Sequence, residues 1–529
     1  MANTKAVENQ SGIAQVIGAS SLGTLIEWYD FYIFGSLATL IGKHLFPSDA
    51  GASALINTLA IFAAGFIVRP FGALVFGRLG DLVGRKYTFL LTLVLMGGST
   101  FLIGLVPGYE QIGYAAPILV LILRLVQGLA LGGEYGGAAT YVAEHAPMGR
   151  RGYFTSWIQT TATLGLFLSL GVIVLTKSAM GKEGFEAAWG GWRVPFLVSI
   201  FLVGVSIYIR LRMSESPAFA KAKSEGKIVK NPLKESFQNK DNFKMVLLAL
   251  FGAVMGQGVI WYTGQFYAQS FIENVCKVDF NESRYIIIWA IMFGTPFFIL
   301  FGSLSDRIGR KWIMMAGMLL GIISYRPIYQ HFLDITKTPV PEAVVDANAA
   351  PKVTTAPVKG TKHKLETTAT KVSFANGIVA TKSSVDTLYA DGRHSKKPAV
   401  TIIDKKLPSG TFWTIIALVF VQIVYVTMVY GPIAAFLVEL FPVQIRYTSM
   451  SLPYHVGNGV FGGLVPFIGT LIVESTKSPA KPTGDPLAGL LYPMGVALVC
   501  LIIGTIYLTN HTDEDVMDED NDYIHPHHA

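Results

Sequence analysis

The chain has 529 residues, of which 51% are hydrophobic and 15% are charged, and its mean hydropathy is +0.47. Because soluble domains carry roughly 25% charged residues, this composition excludes an ordinary water-soluble enzyme or binding domain. We attribute the formal net charge of +7 to the topology of a membrane protein rather than to nucleic-acid binding.

Twelve apolar blocks follow one another along the chain. Each is about 20 residues long or longer, the length of helix that crosses a hydrocarbon core of about 30 Å. Since lipid cannot satisfy a bare backbone and the blocks show no alternation, helices are favoured over a barrel. The sequence predicts an all-α membrane protein with twelve transmembrane helices in two six-helix bundles. The predicted spans are residues 14–40, 53–77, 87–106, 114–142, 153–176, 192–211, 245–272, 285–304, 312–332, 410–438, 449–473 and 488–509.

Basic residues concentrate in the connections that follow the even-numbered blocks. They include Arg78, Arg150, Arg307 and Arg446, whereas the opposite connections are poorer in lysine and arginine. Because basic loops stay on the cytoplasmic side, both termini are predicted to be cytoplasmic. The chain has only two cysteines, Cys276 and Cys500, so no disulfide framework is expected.

One charged, glycine-bearing stretch occurs twice. "FGRLGDLVGRKYTFL" begins at Phe76 and "FGSLSDRIGRKWIMM" begins at Phe301, and each lies between the second and third spans of a six-helix half. A second pair places Pro three residues and Arg seven residues after Glu144 and again after Glu439. This internal repetition indicates a duplicated chain.

The repeat also predicts where the domains lie. We expect an N-terminal bundle over residues 1–212, a cytoplasmic linker over 213–243 and a C-terminal bundle over 244–529. The second pair is spaced more widely than the first, and a polar outer loop over 333–409 accounts for the extra residues. Within it, "TTATKVSFANGIVATKSSV" could form a small hairpin, or the whole loop could be disordered. The acidic stretch 510–529 is predicted to be a solvated cytoplasmic tail.

Parallel repeats of six helices are typical of transporters in which two bundles rock around a central site. The doubled G-x-L-x-D-x-x-G-R-K, with "IEWYDFYIFG", "RLVQGLALGGEYGGA", "ESPAF" and "WYTGQFYAQSF", resembles the metabolite:proton symporter branch of the major facilitator superfamily. That branch includes permeases for ketoglutarate, citrate, shikimate and proline or betaine. The resemblance implies the major facilitator fold, proton symport and a bacterial inner membrane.

Charged residues inside the first and fourth spans are the main candidates for transport chemistry, since a charge in hydrocarbon must face a cavity or a partner. Glu27 and Asp30 lie three positions apart, and Arg124, Gln127 and Glu134 form one polar stripe. We interpret Glu27, Asp30 and Glu134 as proton carriers, and Arg124 and Gln127 as substrate ligands. The alternative is a permanent ion pair that only fixes packing.

Two weaker groups of candidates for substrate binding lie in other spans. Arg69 of the second span could add positive charge to a cavity or could extend to the membrane surface. In the seventh span Gln257, Trp261 and Gln265 recur every four residues, with Tyr262 alongside. This stripe suits selection of substrate shape, although core packing explains such aromatics equally well.

The repeated charges at the predicted cytoplasmic helix ends could form a gate. We expect two sets of four charges, one in each half, that hold the inner side shut; the alternative is that they only anchor loops, because exposed ion pairs contribute about 0 to 1 kcal/mol. The candidates are Asp81, Arg85, Glu144 and Arg151, and their counterparts Asp306, Arg310, Glu439 and Arg446.

The sequence contains no nucleophile elbow, phosphate-binding glycine loop or metal-ligand cluster. We therefore expect no enzymatic activity, cofactor or metal, and a proton gradient rather than ATP as the energy source. The predicted function is uptake of a small organic anion, such as a mono- or dicarboxylate, together with a proton. A zwitterionic osmolyte is the alternative substrate, and a transporter-like sensor the alternative function. Expected partners are the substrate, protons and the bilayer, with no nucleic acid, and the protein is predicted to be a monomer.

Overall fold

The computed structural model describes residues 17–18, 21, 24–47, 52–83, 85–147, 149–211, 231–338, 351–357, 364–389, 399–442 and 445–510. Most of the predicted linker and nearly all of the predicted acidic tail lie outside these residues.

Helices occupy the described residues of all twelve predicted spans. In the described part of the chain, ten helices are long and apolar enough to cross a membrane, and a shorter apolar helix covers Leu90–Leu105. A helix over residues 24–36 corresponds to the first span. The further helices of the first half are Ala38–Leu45, Ala52–Ile67, Arg69–Leu82, Arg85–Leu105, Tyr109–Ile112, Ala115–Leu131, Glu134–His145, Arg151–Glu186, the 3-10 turn Gly191–Arg193 and Val194–Leu211.

The second half repeats this pattern after a short helix that precedes the seventh span. That span contains three π-helical segments, and the eleventh contains one; such segments are frequent at functional sites. The α-helices are Pro232–Gln238, Lys240–Ala249, Met255–Tyr262, Ala268–Ser270, Phe280–Gly294, Pro296–Ile308, Arg310–Ile335, Ser409–Tyr430, Ile433–Leu440, Arg446–His455, Val465–Ser475 and Leu491–Tyr507, the π-helices are Leu250–Val254, Thr263–Tyr267, Phe271–Val275 and Val456–Gly462, and the 3-10 turn is Ala488–Leu490.

Glycine allows the second and fourth spans to approach closely. A Cβ added at Gly128 would fall on the carbonyl of Gly65, and a Cβ added at Gly65 would lie 3.2 Å from the backbone oxygen of Arg124. Small residues permit this contact between helix backbones. The contact fixes Arg124 beside the second span, where its side chain can meet groups from other helices.

Contacts divide the chain into two compact units. The first comprises Met1–Gly264, Ile291–Ile323 and Gln422–Ala529, and the second comprises Gln265–Ala290 and Ser324–Val421. These boundaries differ from the predicted domain boundaries. The predicted boundaries come from the repeat in the sequence, whereas the compact units are defined by contacts between residues. The predicted division into two bundles and a linker stays a prediction.

A four-stranded antiparallel sheet occupies the outer loop in the second unit. Its strands, β1 (Lys352–Pro357), β2 (Lys364–Ser373), β3 (Val379–Leu388) and β4 (Ala399–Lys406), are adjacent in chain order. The predicted hairpin is formed by β2 and β3, whose turn contains Gly377 at φ 81°. A small core of Val372, Phe374, Ile378 and Ala380 lies under this turn.

Hydrogen bonds attach the last strand to neighbouring helices of the same unit. The buried Lys405 donates its Nζ to the Thr336 carbonyl at 2.7 Å, and its own carbonyl accepts the Asp279 amide at 2.8 Å. Burial lowers the pKa of the Lys405 ammonium and raises the pKa of the nearby Cys276 thiol to about 11. That thiol therefore stays protonated at neutral pH.

We expect Lys405→Met to loosen the sheet, because the buried Thr336 carbonyl would lose its donor. Leaving a buried acceptor unpaired costs about 1 to 3 kcal/mol, so limited proteolysis of the purified protein should cleave the outer loop faster. Lys406→Met changes an exposed neighbour and is the matched control. Equal cleavage rates for the two variants would contradict this anchoring role.

Candidate functional site

The first helix carries two buried carboxylates. Glu27 is 2% exposed and Asp30 is 1% exposed, and their spacing places them on one face of the helix. Between them, Tyr29 donates its hydroxyl to the Pro195 carbonyl at 2.8 Å. That bond fixes the rotation of the first helix relative to the sixth.

Arg124 and Gln127 lie in one hydrogen-bonded chain. Arg124 donates Nη1 to the side-chain oxygen of Gln127, and Gln127 donates to the Thr100 hydroxyl at 2.6 Å. The rings of Phe34 and Phe62 lie 4.5 and 5.0 Å from the guanidinium carbon. This cation is therefore held among aromatic rings and neutral hydrogen-bonding groups.

The Asp30 carboxyl lies near this hydrogen-bonded chain. Arg124 attracts it electrostatically, and the Thr100 hydroxyl lies beside it. No direct ion pair joins Asp30 and Arg124 in the described part of the chain. Asp30 and Arg124 thus lie in one buried region without forming the direct ion pair that a purely structural role would require.

Arg69 adds a second buried guanidinium. Its side chain is 3% exposed, and its guanidinium carbon lies 4.6 Å from the Phe66 ring and 5.4 Å from the Phe31 ring. It interacts electrostatically with Arg124 and with the buried His455. The side chain points inward rather than extending to the membrane surface.

The seventh helix contributes rings and an amide. Gln257 and Asn458 exchange two hydrogen bonds, at 3.0 and 2.9 Å. The Trp261 ring lies 4.9 Å from the Trp28 ring, and the Tyr262 ring packs edge-on against Phe31 and Phe66. Trp261 and Tyr262 thus meet the first helix, whereas the Gln257 amide is bonded to a neighbouring helix.

Four further candidates are not part of the description above. Gln265 belongs to the second compact unit, where its amide is buried. The side chains of Glu134, Asp81 and Arg85 lie outside the described residues. Their proposed roles remain predictions from sequence.

The other candidate gate residues meet across the two halves of the chain. Glu144 pairs with Arg446 at 3.3 Å, and Arg151 pairs with Glu439 at 3.7 Å. Arg310 joins Glu439 at 2.8 Å. The pairs Glu144–Arg446 and Arg151–Glu439 join the two halves of the chain, where the ends of the fourth and fifth helices face those of the tenth and eleventh. The Arg310–Glu439 pair lies within the predicted second set of charges.

The aspartate of the second signature stretch caps a helix. Asp306 accepts hydrogen bonds from the backbone amides of Gly152 and Tyr153 at 2.7 and 2.9 Å, and from Arg310 at 2.6 Å. Gly152 and Tyr153 begin the helix Arg151–Glu186, whose first amides have no partner within the helix. Sequence spacing indicated the bond to Arg310 but gave no sign of this cap, which depends on contact between distant segments.

Tyr447 explains the glycines of the first signature stretch. Its ring lies 3.5 Å from a Cβ added at Gly77 and 3.3 Å from one added at Gly80, and its hydroxyl donates to the Gly133 carbonyl. A side chain at Gly80 would crowd the ring, whereas one at Gly77 would make an ordinary van der Waals contact with it. Sequence reasoning missed Tyr447, because no motif marks it.

We expect Glu439→Gln to open the predicted cytoplasmic side, because two buried arginines would lose their shared anion. Breaking a buried ion pair is strongly destabilising. A cysteine introduced at Thr140, a buried residue that contacts Met450 across the halves at 3.3 Å, should react at least about tenfold faster with a reagent applied from the cytoplasmic side. Glu474→Gln removes an exposed pair with Lys477 and is the control. Equal reactivity of the two variants would contradict the gate.

Comparison with known proteins assigns a family to this arrangement. The family model described as "Sugar (and other) transporter" matches residues 16–340. The proline/betaine transporter of Salmonella typhimurium is 36% identical over 318 residues, which cover 58% of this chain and only 62% of that protein. The inner membrane metabolite transport protein YhjE of Escherichia coli is 30% identical over 494 residues, covering 92% of this chain and 93% of that protein. The alpha-ketoglutarate permease of Escherichia coli is 36% identical over 59% of this chain and 70% of the permease.

Solved structures show the same fold. The major facilitator superfamily proton:xylose symporter XylE, bound to 6-bromo-6-deoxy-D-glucose, matches with a TM-score of 0.60 at 16% identity, over 95% of this chain and 97% of XylE. Escherichia coli XylE in a partially occluded inward-open conformation matches with a TM-score of 0.61 at 15% identity, over 96% of this chain and 100% of XylE. The predicted twelve-helix fold is confirmed. The chain therefore belongs to the sugar (and other) transporter family of the major facilitator superfamily, and it is a multi-pass membrane protein.

Proposed function

We propose that the chain is a secondary active transporter that imports a small organic anion, such as a mono- or dicarboxylate, together with protons. The observation that carries this proposal is the buried Arg124, which faces Asp30 without forming a direct ion pair. A guanidinium held by a neutral amide is available to a carboxylate of the substrate, with which it can form a bidentate pair.

Charge balance in this region supports coupling to protons. Arg69 and Arg124 supply two positive charges, and Glu27 and Asp30 supply two negative charges when both are ionised. Protonation of one carboxylate leaves a net positive site, which attracts an anion. Because an unbalanced buried charge is costly, binding of substrate and binding of a proton should favour one another.

The relatives are compatible with a carboxylate substrate. Proline, betaine and alpha-ketoglutarate, which appear in the names of similar transporters, all carry a carboxylate group. The carboxylate is the group that these three compounds share, and it is a group that an arginine can bind. We therefore assign Arg124 and Arg69 to substrate carboxylates, Gln127 to positioning Arg124, and Glu27 and Asp30 to protons.

A zwitterionic osmolyte is the second candidate substrate. The rings of Trp28, Tyr32 and Trp261 lie close together, with centroids 4.9 to 6.0 Å apart. Aromatic faces attract quaternary ammonium groups, and the nearby Glu27 would add to that attraction. A betaine could then place its carboxylate on an arginine and its cation against these rings.

The gate fits a transport cycle with alternating access. Ion pairs between Glu144 and Arg446, and between Arg151 and Glu439, hold the predicted cytoplasmic helix ends together. We propose that both termini are cytoplasmic in a bacterial inner membrane, and that the protein is a monomer. Release of substrate to the cytoplasm would require these pairs to separate.

Uptake into proteoliposomes with an imposed pH gradient tests this function. We expect labelled carboxylates to accumulate when the outside is acidic, and accumulation to collapse when a protonophore is added. A parallel assay with labelled betaine separates the two substrate classes. A sensor would bind ligand without accumulating it, and that result would overturn the proposal.

We expect Asp30→Asn to abolish gradient-driven accumulation while preserving exchange of substrate across the membrane, because asparagine mimics a carboxyl group that never releases its proton. A gradient of one pH unit drives at most about tenfold accumulation per coupled proton, and the variant should show none. Asp334→Asn changes a half-exposed residue paired with Lys337 and serves as the control. Normal accumulation by Asp30→Asn would exclude this residue as a proton carrier.

A further inference from the structure

We infer that Tyr135, Tyr430 and Tyr454 form an inner gate between the buried charges and the ionic gate, and that Gln159 positions it. This inference rests on the proposed function, because a gate has a role only in a transporter with alternating access. None of these four residues belongs to the predicted substrate site or to the ionic gate.

The three tyrosines lie at one depth in the bundle. Tyr135 is nine residues from Glu144, Tyr430 is nine residues from Glu439, and Tyr454 is eight residues from Arg446. At a rise of about 1.5 Å per residue, Tyr135 and Tyr454 lie roughly 12 to 14 Å from the ionic gate along their own helices. Tyr430 ends the helix Ser409–Tyr430, and Gly431 and Pro432 separate it from the helix that carries Glu439. The tyrosines therefore form a second layer, closer to the middle of the membrane.

One ring contact in this layer crosses between the halves of the chain. The Tyr135 and Tyr454 rings stack with centroids 3.5 Å apart and planes 3° apart. Tyr135 belongs to the fourth helix and Tyr454 to the eleventh. When two bundles rock apart at their cytoplasmic ends, this stack must separate.

Two hydroxyl contacts hold the stacked rings in place, one within each half. Gln159 donates its amide to the Tyr135 hydroxyl at 2.6 Å. The hydroxyls of Tyr430 and Tyr454 lie 2.7 Å apart. Each ring is thus oriented by a partner that moves with it, while the stack itself joins the two halves. Gln159 and Tyr430 are positioning residues for this contact.

The tyrosine layer lies beside a proposed proton carrier. Glu27 interacts electrostatically with Tyr135, Tyr430 and Tyr454, and all three tyrosines are at most 2% exposed. The layer consequently closes the central region on its cytoplasmic side.

Accessibility of a reporter cysteine tests the inner gate without requiring a known substrate. The reporter is Thr163→Cys, in a chain whose Cys276 is replaced by alanine and whose buried Cys500 is retained. Thr163 is buried, and its hydroxyl lies 3.2 Å from that of Thr295 across the halves. It lies 12 residues from Arg151 along the fifth helix, or about 18 Å, and therefore on the central side of the tyrosine layer. A membrane-impermeant maleimide is applied from the cytoplasmic side, and labelling is read for each cysteine by mass spectrometry. Labelling of Cys500 reports unfolding, because this residue is fully buried among helices of the second half.

We expect Tyr454→Ala to increase labelling at position 163 by roughly two- to tenfold, the range that one aromatic pair supplies. Tyr430→Phe and Gln159→Leu should give smaller increases, because the rings remain but lose their orientation. Tyr454→Phe retains the stack and should lie closer to the unmodified protein than Tyr454→Ala. In every case Cys500 should stay unlabelled.

Tyr29→Phe is the matched control, since it removes a buried tyrosine hydroxyl whose bond stays within the first half. If Tyr454→Ala fails to fold, Tyr430→Phe and Gln159→Leu still decide the question. Labelling of these variants at the level of Tyr29→Phe would overturn the inner gate. Failure of proton-driven uptake in the unmodified protein would instead overturn the proposed function, and the labelling result distinguishes the two failures.

Discussion

A charged side chain in the hydrocarbon core has no water to solvate it, and this constraint governs the centre of the protein. Arg69 and Arg124 are each placed against two aromatic rings, and Arg124 is also bonded to an amide. The carboxylates of the first helix share the same interior. Aromatic rings and neutral hydrogen-bond acceptors stabilise a cation without neutralising its charge. The net charge of this region therefore depends on bound protons and substrate. The close approach of the second and fourth helices at Gly65 and Gly128 maintains this arrangement.

The rest of the helical unit separates this interior from the predicted cytoplasmic side. Ion pairs hold the helix ends together. Asp306 of the second signature stretch caps the start of the fifth helix. The Tyr447 ring packs against Gly77 and Gly80 of the first signature stretch. Each of these contacts joins the first half of the chain to the second. Alternating access therefore requires breaking contacts of three chemical kinds: ionic, hydrogen-bonded and aromatic.

Sequence periodicity and composition predicted the twelve helices, since both follow from the hydrophobic thickness of a membrane, and the duplication predicted which charges recur. The hairpin within the outer loop was one of two alternatives, and the full sheet could not be foreseen, because pairing of its outer strands depends on non-local register. The pairing of Arg151 with Glu439 follows from contact between the halves, which spacing along one chain does not encode. Tyr447 and the stacked Tyr135 and Tyr454 were missed for the same reason.

Linkage between proton and substrate binding is the central claim, and calorimetric titration of the purified protein with its transported carboxylate tests it most directly. Repeating the titration in buffers of different ionisation enthalpy gives the number of protons taken up on binding. Since substrate and proton should stabilise one another at the buried arginines and carboxylates, we predict uptake of about one proton per substrate bound near neutral pH. Tight binding with no uptake of protons in any buffer would contradict the account.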